Sequence, residues 1–202
     1  MFVGYFGTFS ADLEVNVDWD LAVPYALKDG LMVDIDDVPS GKQCGCICPA
    51  CEHRVVARKY ISGERRDHFY HLNETSCRYP VEMAIRRATV QALNQRKSLW
   101  LPELNKLLRP DRPPIVLRPA RTISFDEAIL FDTGANRIPE VIVVSGKYRL
   151  HVALQRPLGY QVVGIDTTAE LVVGLPDPLP NLKVLVEGIL GENAMKSWRR
   201  HQ

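Results

Sequence analysis

With 202 residues and 46% hydrophobic side chains, the chain can build one ordinary domain, or a core with a small module, and is too apolar for disorder. Its formal net charge of +1 names no partner, and no run approaches the roughly 18 consecutive apolar residues of a membrane span. The charges are unevenly spread: residues 1–43 hold eight acidic and two basic side chains, residues 44–122 hold 15 Lys or Arg against seven Asp or Glu. Such a separation predicts that the middle of the chain faces something anionic. The acidic part is left to meet a protein partner, or to pack against the basic one.

In chain order, residues 2–9 read as a strand, in a start (MFVGYFGTFSADLEV) without the basic n-region of a secretory signal. Asp29–Gly30 predicts a hairpin ahead of LMVDI at 31–35, and 36–43 is a loop into the cysteines. RVVAR at 54–58 and DHFYH at 67–71 predict two short strands joined by a turn at Ser62–Gly63. Pro80 opens a helix, where its missing N–H costs nothing. Val81, Ile85, Ala88 and Ala92 form its apolar stripe, with Arg86, Arg87, Gln91 and Gln95 on the surface. Residues 109–124, rich in Pro and Arg, predict an extended connector with one short strand. IPEVIVV at 138–144 and YRLHVALQ at 148–155 flank a Ser145–Gly146 turn. Residues 162–165 and 170–175 are further strands, and Leu182, Leu185, Val186, Ile189 and Leu190 mark a helix running towards Trp198. The fold class is therefore α+β.

The five cysteines are Cys44, Cys46, Cys48, Cys51 and Cys77, four of them within eight residues. This is metal-ligand spacing and fits a reducing compartment, with cytoplasm expected. Cys48-Pro-Ala-Cys51 places two thiolates on one turn. His71 and Cys77 complete a closed Cys3His set, expected to hold a structural Zn²⁺. His68 competes with His71, but residues three apart on a strand face opposite ways, and His71 lies nearer the turn to Cys77. Cys44 and Cys46 read as reduced thiols, with a shared four-cysteine site as the alternative. On the ribbon Arg54, Arg58, Lys59, Arg65 and Arg66 form the expected nucleic-acid contact, with Phe69 or Tyr70 available to stack if the target is single-stranded. Arg86 and Arg87 are read as solvated helix surface or as phosphate ligands.

CICPAC, RVVARK, DHFYH and a cysteine before a helix opening with glutamate together resemble the competence protein CoiA-like nucleases. The later segments LWLPEL at 99–104, Pro139-Glu140, YRLHVALQ and Trp198 with His201 follow the same order. The resemblance implies a zinc ribbon inserted in or preceding a restriction-endonuclease-like mixed sheet of the PD-(D/E)xK kind, flanked by helices. It divides the chain into an acidic β segment (1–43), a zinc ribbon (44–79) and a nuclease-like α/β core (80–202). It also implies Mg²⁺- or Mn²⁺-dependent DNA cleavage, with Glu82 as helix carboxylate, Glu140 as first-strand carboxylate and Gln155 as the strand amide. The chain departs from that pattern. Arg86 stands where the family has histidine, Val90 where it has a basic residue, and Ala153 where it has the second-strand carboxylate. Glu127, Asp132 and Asp166 are the candidate substitutes. The expectation is a DNA-binding, nuclease-like protein of DNA processing or defence with weakened or lost cleavage. The alternatives are an active DNase with a rearranged site and a zinc-dependent protein-interaction module.

Overall fold

The computed structural model describes residues 22–61, 65–73, 77–106, 111, 113–132, 138–155, 169–176, 178–191 and 196–201. The strand expected at 2–9, the Ser62–Gly63 turn, the strand at 162–165 and Asp166 lie outside them.

β1 (Tyr25–Lys28) and β2 (Leu31–Asp34) form the expected hairpin across Asp29–Gly30. Both turn residues have positive φ, 50° and 79°. That is the turn twist two-residue hairpins favour, and Asp followed by Gly tolerates it. A short 3-10 turn (Lys42–Cys44) leads into the cysteines. β3 (Val55–Arg58) then pairs antiparallel with β4 (His68–His71). The two hairpins are stitched together: Val23 bridges Phe69, Leu27 bridges Ile47 and Gly41 bridges Ala57. The described part of the acidic segment is thus hydrogen-bonded to the basic ribbon.

α1 spans Pro80–Arg96, with Pro in its first turn and a left-handed Lys97 closing it through an N–H to the Leu93 carbonyl. Val81, Ile85, Ala88 and Ala92 are buried as the stripe predicts, joined by Ala84 and Leu93. Arg86 is buried too, and so is not the surface residue expected of it. Next comes an antiparallel arm in which β5 (Ser98–Leu101) pairs with β8 (Arg121–Ser124) and β6 (Leu104–Lys106) with β7 (Ile115–Arg118). The connector therefore carries two strands rather than one. Pro113, Pro114 and Pro119, which lack an N–H to donate, fall outside the paired residues.

The main sheet contains β9 (Glu127–Phe131), β10 (Glu140–Ser145), β11 (Tyr148–Gln155), β12 (Ala169–Gly174) and β13 (Lys196–His201). Their order is β13-β12-β11-β10-β9, antiparallel except for the parallel β11–β12 pair. α2 (Leu182–Leu190) precedes β13 and is capped by Asn181, whose side chain accepts the Val184 N–H. The helix does not reach Trp198. Gly188 and Gly191 weaken it, and the following backbone instead satisfies its hydrogen bonds by pairing with β12. Trp198 lies in β13, with its indole N–H on the Pro102 carbonyl at 3.0 Å. One continuous apolar core runs from Val23 through Phe69 and Leu93 to Leu190. No described helix is long and apolar enough to cross a membrane.

Candidate metal centre and buried charge cluster

Strand alternation decides how the ribbon uses its histidines. Phe69 and His71 point to one side of β4, His68 and Tyr70 to the other. Phe69 is fully buried, so its side is the inner one. His71 therefore turns inward, towards the Cys48–Cys51 turn. The Cys48, Cys51, His71 and Cys77 ligand atoms all lie within 4.8 Å of one another. Cys48 and Cys77 sulfurs stand 3.7 Å apart, and Cys51 sulfur is 3.2 Å from His71 Nε2. A tetrahedral ion with Zn–S bonds of about 2.3 Å sets its sulfurs about 3.8 Å apart, so the cluster has the size such an ion requires. Among the described residues no other group of three or more Cys, His, Asp or Glu converges in this way.

The electrostatics ask for a cation. Burial pushes the Cys48 and Cys77 thiols up. Burial also raises Cys51, but the backbone and side-chain groups of His53 and the neighbouring thiols outweigh it, and its net shift is downward. Burial lowers His71, favouring the neutral imidazole a metal needs. Three thiols this close are stable as thiolates only with a positive charge among them, and the donor set suits a structural zinc-like ion. The remaining ring nitrogen of His71, Nδ1, is buried with no hydrogen-bond partner among the described residues. Cys44 and Cys46 stay outside the cluster as buried core thiols, hydrogen-bonded to the Val55 and Cys44 carbonyls at 3.3 and 3.4 Å. His68 faces outward, with Nδ1 3.0 Å from the Arg66 carbonyl.

The residues singled out by resemblance are dispersed differently. Glu140 opens β10 and is only 2% exposed. One of its oxygens is 3.4 Å from Arg86 Nη2, the other 3.2 Å from His151 Nε2. His151 Nδ1 is in turn 3.6 Å from Glu170. α1, β10, β11 and β12 thus each contribute one member to an Arg86–Glu140–His151–Glu170 chain, buried except at the half-buried Glu170. Its register is built in, because His151 lies opposite Ile142 on β10 and Glu170 on β12. Glu82 is half-buried in the first turn of α1, and Arg86 donates to its carbonyl at 3.4 Å. Gln155 is half-buried at the end of β11, two residues beyond the buried Ala153. Glu127 is exposed at the start of β9, and Asp132 is exposed just beyond its end. His151 and Glu170 carried no motif; their signal was a histidine and a glutamate inside otherwise apolar strand runs.

The basic residues also separate. Arg54, Arg58, Arg65 and Arg66 are exposed, and Lys59 is half-buried with its ammonium 3.5 Å from the Asp36 carbonyl. Arg66 lines a cavity of about 230 Å³ with Asp34, Asp36 and Asp67. Arg87 pairs with Glu52 at 3.4 Å, tying α1 to the cysteine turn. Arg86, buried on Glu140, offers no surface to a phosphate. Phe69, fully buried, offers none to a base.

Comparison with family models, curated proteins and solved structures finds no match. The chain is thus a Cys3His cluster beside a mixed sheet flanked by helices, with its family unspecified.

Proposed function

We propose that the protein is a zinc-ribbon, nuclease-like DNA-binding protein whose core cleaves weakly or not at all. Zn²⁺ at Cys48, Cys51, His71 and Cys77 holds the ribbon in shape. Arg54, Arg58 and Arg65 carry the main phosphate contact, with Lys59 and Arg66 flanking it beside the acidic loop. In this reading α1 and the β10–β11 hairpin correspond to the helix and strands of a restriction-endonuclease-like core, with Glu82, Glu140 and Gln155 at the metal-binding positions.

One observation carries the loss of cleavage. Both oxygens of Glu140 are engaged, by Arg86 and by His151, where a nuclease site would leave them for Mg²⁺ or Mn²⁺. A hard divalent ion needs several closely placed oxygens, and here a guanidinium neutralises the carboxylate while Ala153 supplies none. The expected result is no cleavage of plasmid or single-stranded DNA with either ion, together with salt-sensitive DNA retention. Robust cutting that Glu82→Ala abolishes would overturn the degenerate reading in favour of an active DNase. Phosphate contacts predict that Arg54→Ala/Arg65→Ala weakens binding and makes the salt dependence shallower by about two contacts' worth. A second reading, docking of a protein partner, is favoured by β7, where Ile115, Val116 and Leu117 are each about half exposed. Unchanged DNA retention by the double alanine variant would support it.

A further inference from the structure

We propose that the outer face of the β3–β4 hairpin binds single-stranded nucleic acid by stacking unpaired bases on a row of rings. The proposal rests on the reading of the ribbon as a nucleic-acid contact and adds the class of strand it takes.

Tyr60, His68 and Tyr70 form a continuous row, with ring centroids 6.0 Å and 6.4 Å apart. Two arginines accompany it: the Arg58 guanidinium lies 4.5 Å above the Tyr70 ring and interacts with the Tyr60 hydroxyl as well, and Arg65 lies 6.0 Å from the Tyr60 ring. The register produces the arrangement, because Arg58 is paired with His68 and Val56 with Tyr70, on the face opposite Phe69 and His71. That inner face is committed to the core and the metal cluster. Apart from covering Val56, which is buried on it, the outer face has no packing duty of this kind, and it carries three half-buried rings. The Tyr60 backbone is fixed by its N–H on the Asp67 carboxylate at 2.8 Å, which holds one end of the row at the mouth of the hairpin.

Rings interleaved with arginines suit an unpaired strand. Each base has a π-face to stack, while a guanidinium lying flat on a ring keeps its edge N–H groups for phosphate. In a duplex the base faces are already stacked on each other, so the same surface would reach only the backbone. Arg54 falls on this face by strand alternation and extends the positive track.

The test uses the full zinc-loaded chain and fluorescein-labelled oligonucleotides read by anisotropy: oligothymidylate of 20 nucleotides, oligouridylate of that length and a 20-base-pair duplex. Expected is tighter binding of the single strands than of the duplex. Tyr60→Leu/Tyr70→Leu should lose roughly ten-fold or more on the single strands, with duplex binding unchanged. Tyr60→Phe/Tyr70→Phe, which keeps both rings, should retain single-strand affinity. Bound zinc is measured in every variant, so a collapsed ribbon is recognised. Should the leucine variant lose zinc, retention by the phenylalanine variant together with the single-strand preference of the wild type decides the matter. Duplex binding equal to or tighter than single-strand binding, or an equal loss on both, overturns the proposal and leaves the DNA-binding reading standing. Failure to bind any of the three removes both.

Discussion

Arg86 illustrates how one side chain can redefine a site. Counted along the helix it belongs to the polar surface, yet it is 7% exposed and turned onto Glu140. Removing one partner of a buried pair leaves an uncompensated charge, so Arg86→Met should cost about 3–5 kcal/mol in urea unfolding. Arg86→Met/Glu140→Leu, which removes both charges, should recover most of that loss. Additive destabilisation by the second change would mean that the pair is not the unit of interaction. Lys196 gives a pH signature at the same scale. Its ammonium donates to the Trp100 and Gly191 carbonyls, and burial, helped by the Arg96 charge, pulls its pKa from 10.5 to about 8. Above about pH 10.5 the amine is neutral folded or unfolded, and its stabilising contribution is present. As the pH falls through 8 the folded protein must take up a charge it disfavours, and the contribution is lost. Wild-type stability should therefore rise relative to Lys196→Met between about pH 8 and pH 10.5, a comparison of denaturation midpoints at the two ends.

Elements defined by local chemistry were legible from the residues alone. Asp29–Gly30 marks its hairpin through backbone freedom, Pro80 marks the start of α1, and the Cys48–Cys51 turn marks two ligands through spacing. What escaped was non-local. The end of α2 depends on β12 offering a partner to residues 196–201, which no helical pattern can reveal. The parallel pairing of β11 with β12 joins segments separated by a long connection, and it is this pairing that brings Glu170 to His151. The Cys3His cluster was readable because a metal site selects residue types at fixed intervals, whereas an Arg–Glu–His–Glu chain imposes no spacing. Asn94 was equally silent, although its amide accepts the Ala128 N–H at 3.0 Å and donates to the Ala128 carbonyl at 2.7 Å. It fastens α1 to the outermost strand β9. Asn94→Ala leaves both backbone groups without that partner and should cost about 1–3 kcal/mol in equilibrium unfolding, with hydrogen exchange accelerated first along β9.

At the scale of the molecule, the metal cluster and the main sheet share one apolar core, since Phe69 beneath the ribbon and Leu171 in β12 belong to the same packed set. The ribbon should not melt as an independent module. Cys51→Ser or His71→Ala should abolish stoichiometric zinc, measured by mass spectrometry of the purified protein, and lower the midpoint of a single thermal transition. A separate low-temperature transition would mean that ribbon and sheet are uncoupled. Since three thiols must lose protons for the ion to bind, a chelator should strip the metal more readily in mildly acidic solution than at neutral pH.

The ties between the first hairpin and α2 have a consequence for the order of events at birth. Tyr25 donates to the Pro180 carbonyl at 2.6 Å and Asp34 accepts the Leu182 N–H at 2.5 Å, across 155 and 148 residues of chain. Contacts so distant in sequence form late and make folding slow. Until those later residues leave the ribosome, the β1–β2 hairpin can lean only on the ribbon and on α1, where the Gln91 side chain accepts the Met32 N–H at 2.8 Å. Its anchorage on that side waits for α2 to emerge, so β1 and β2 reach their final packing only after residues 180–182 have been made.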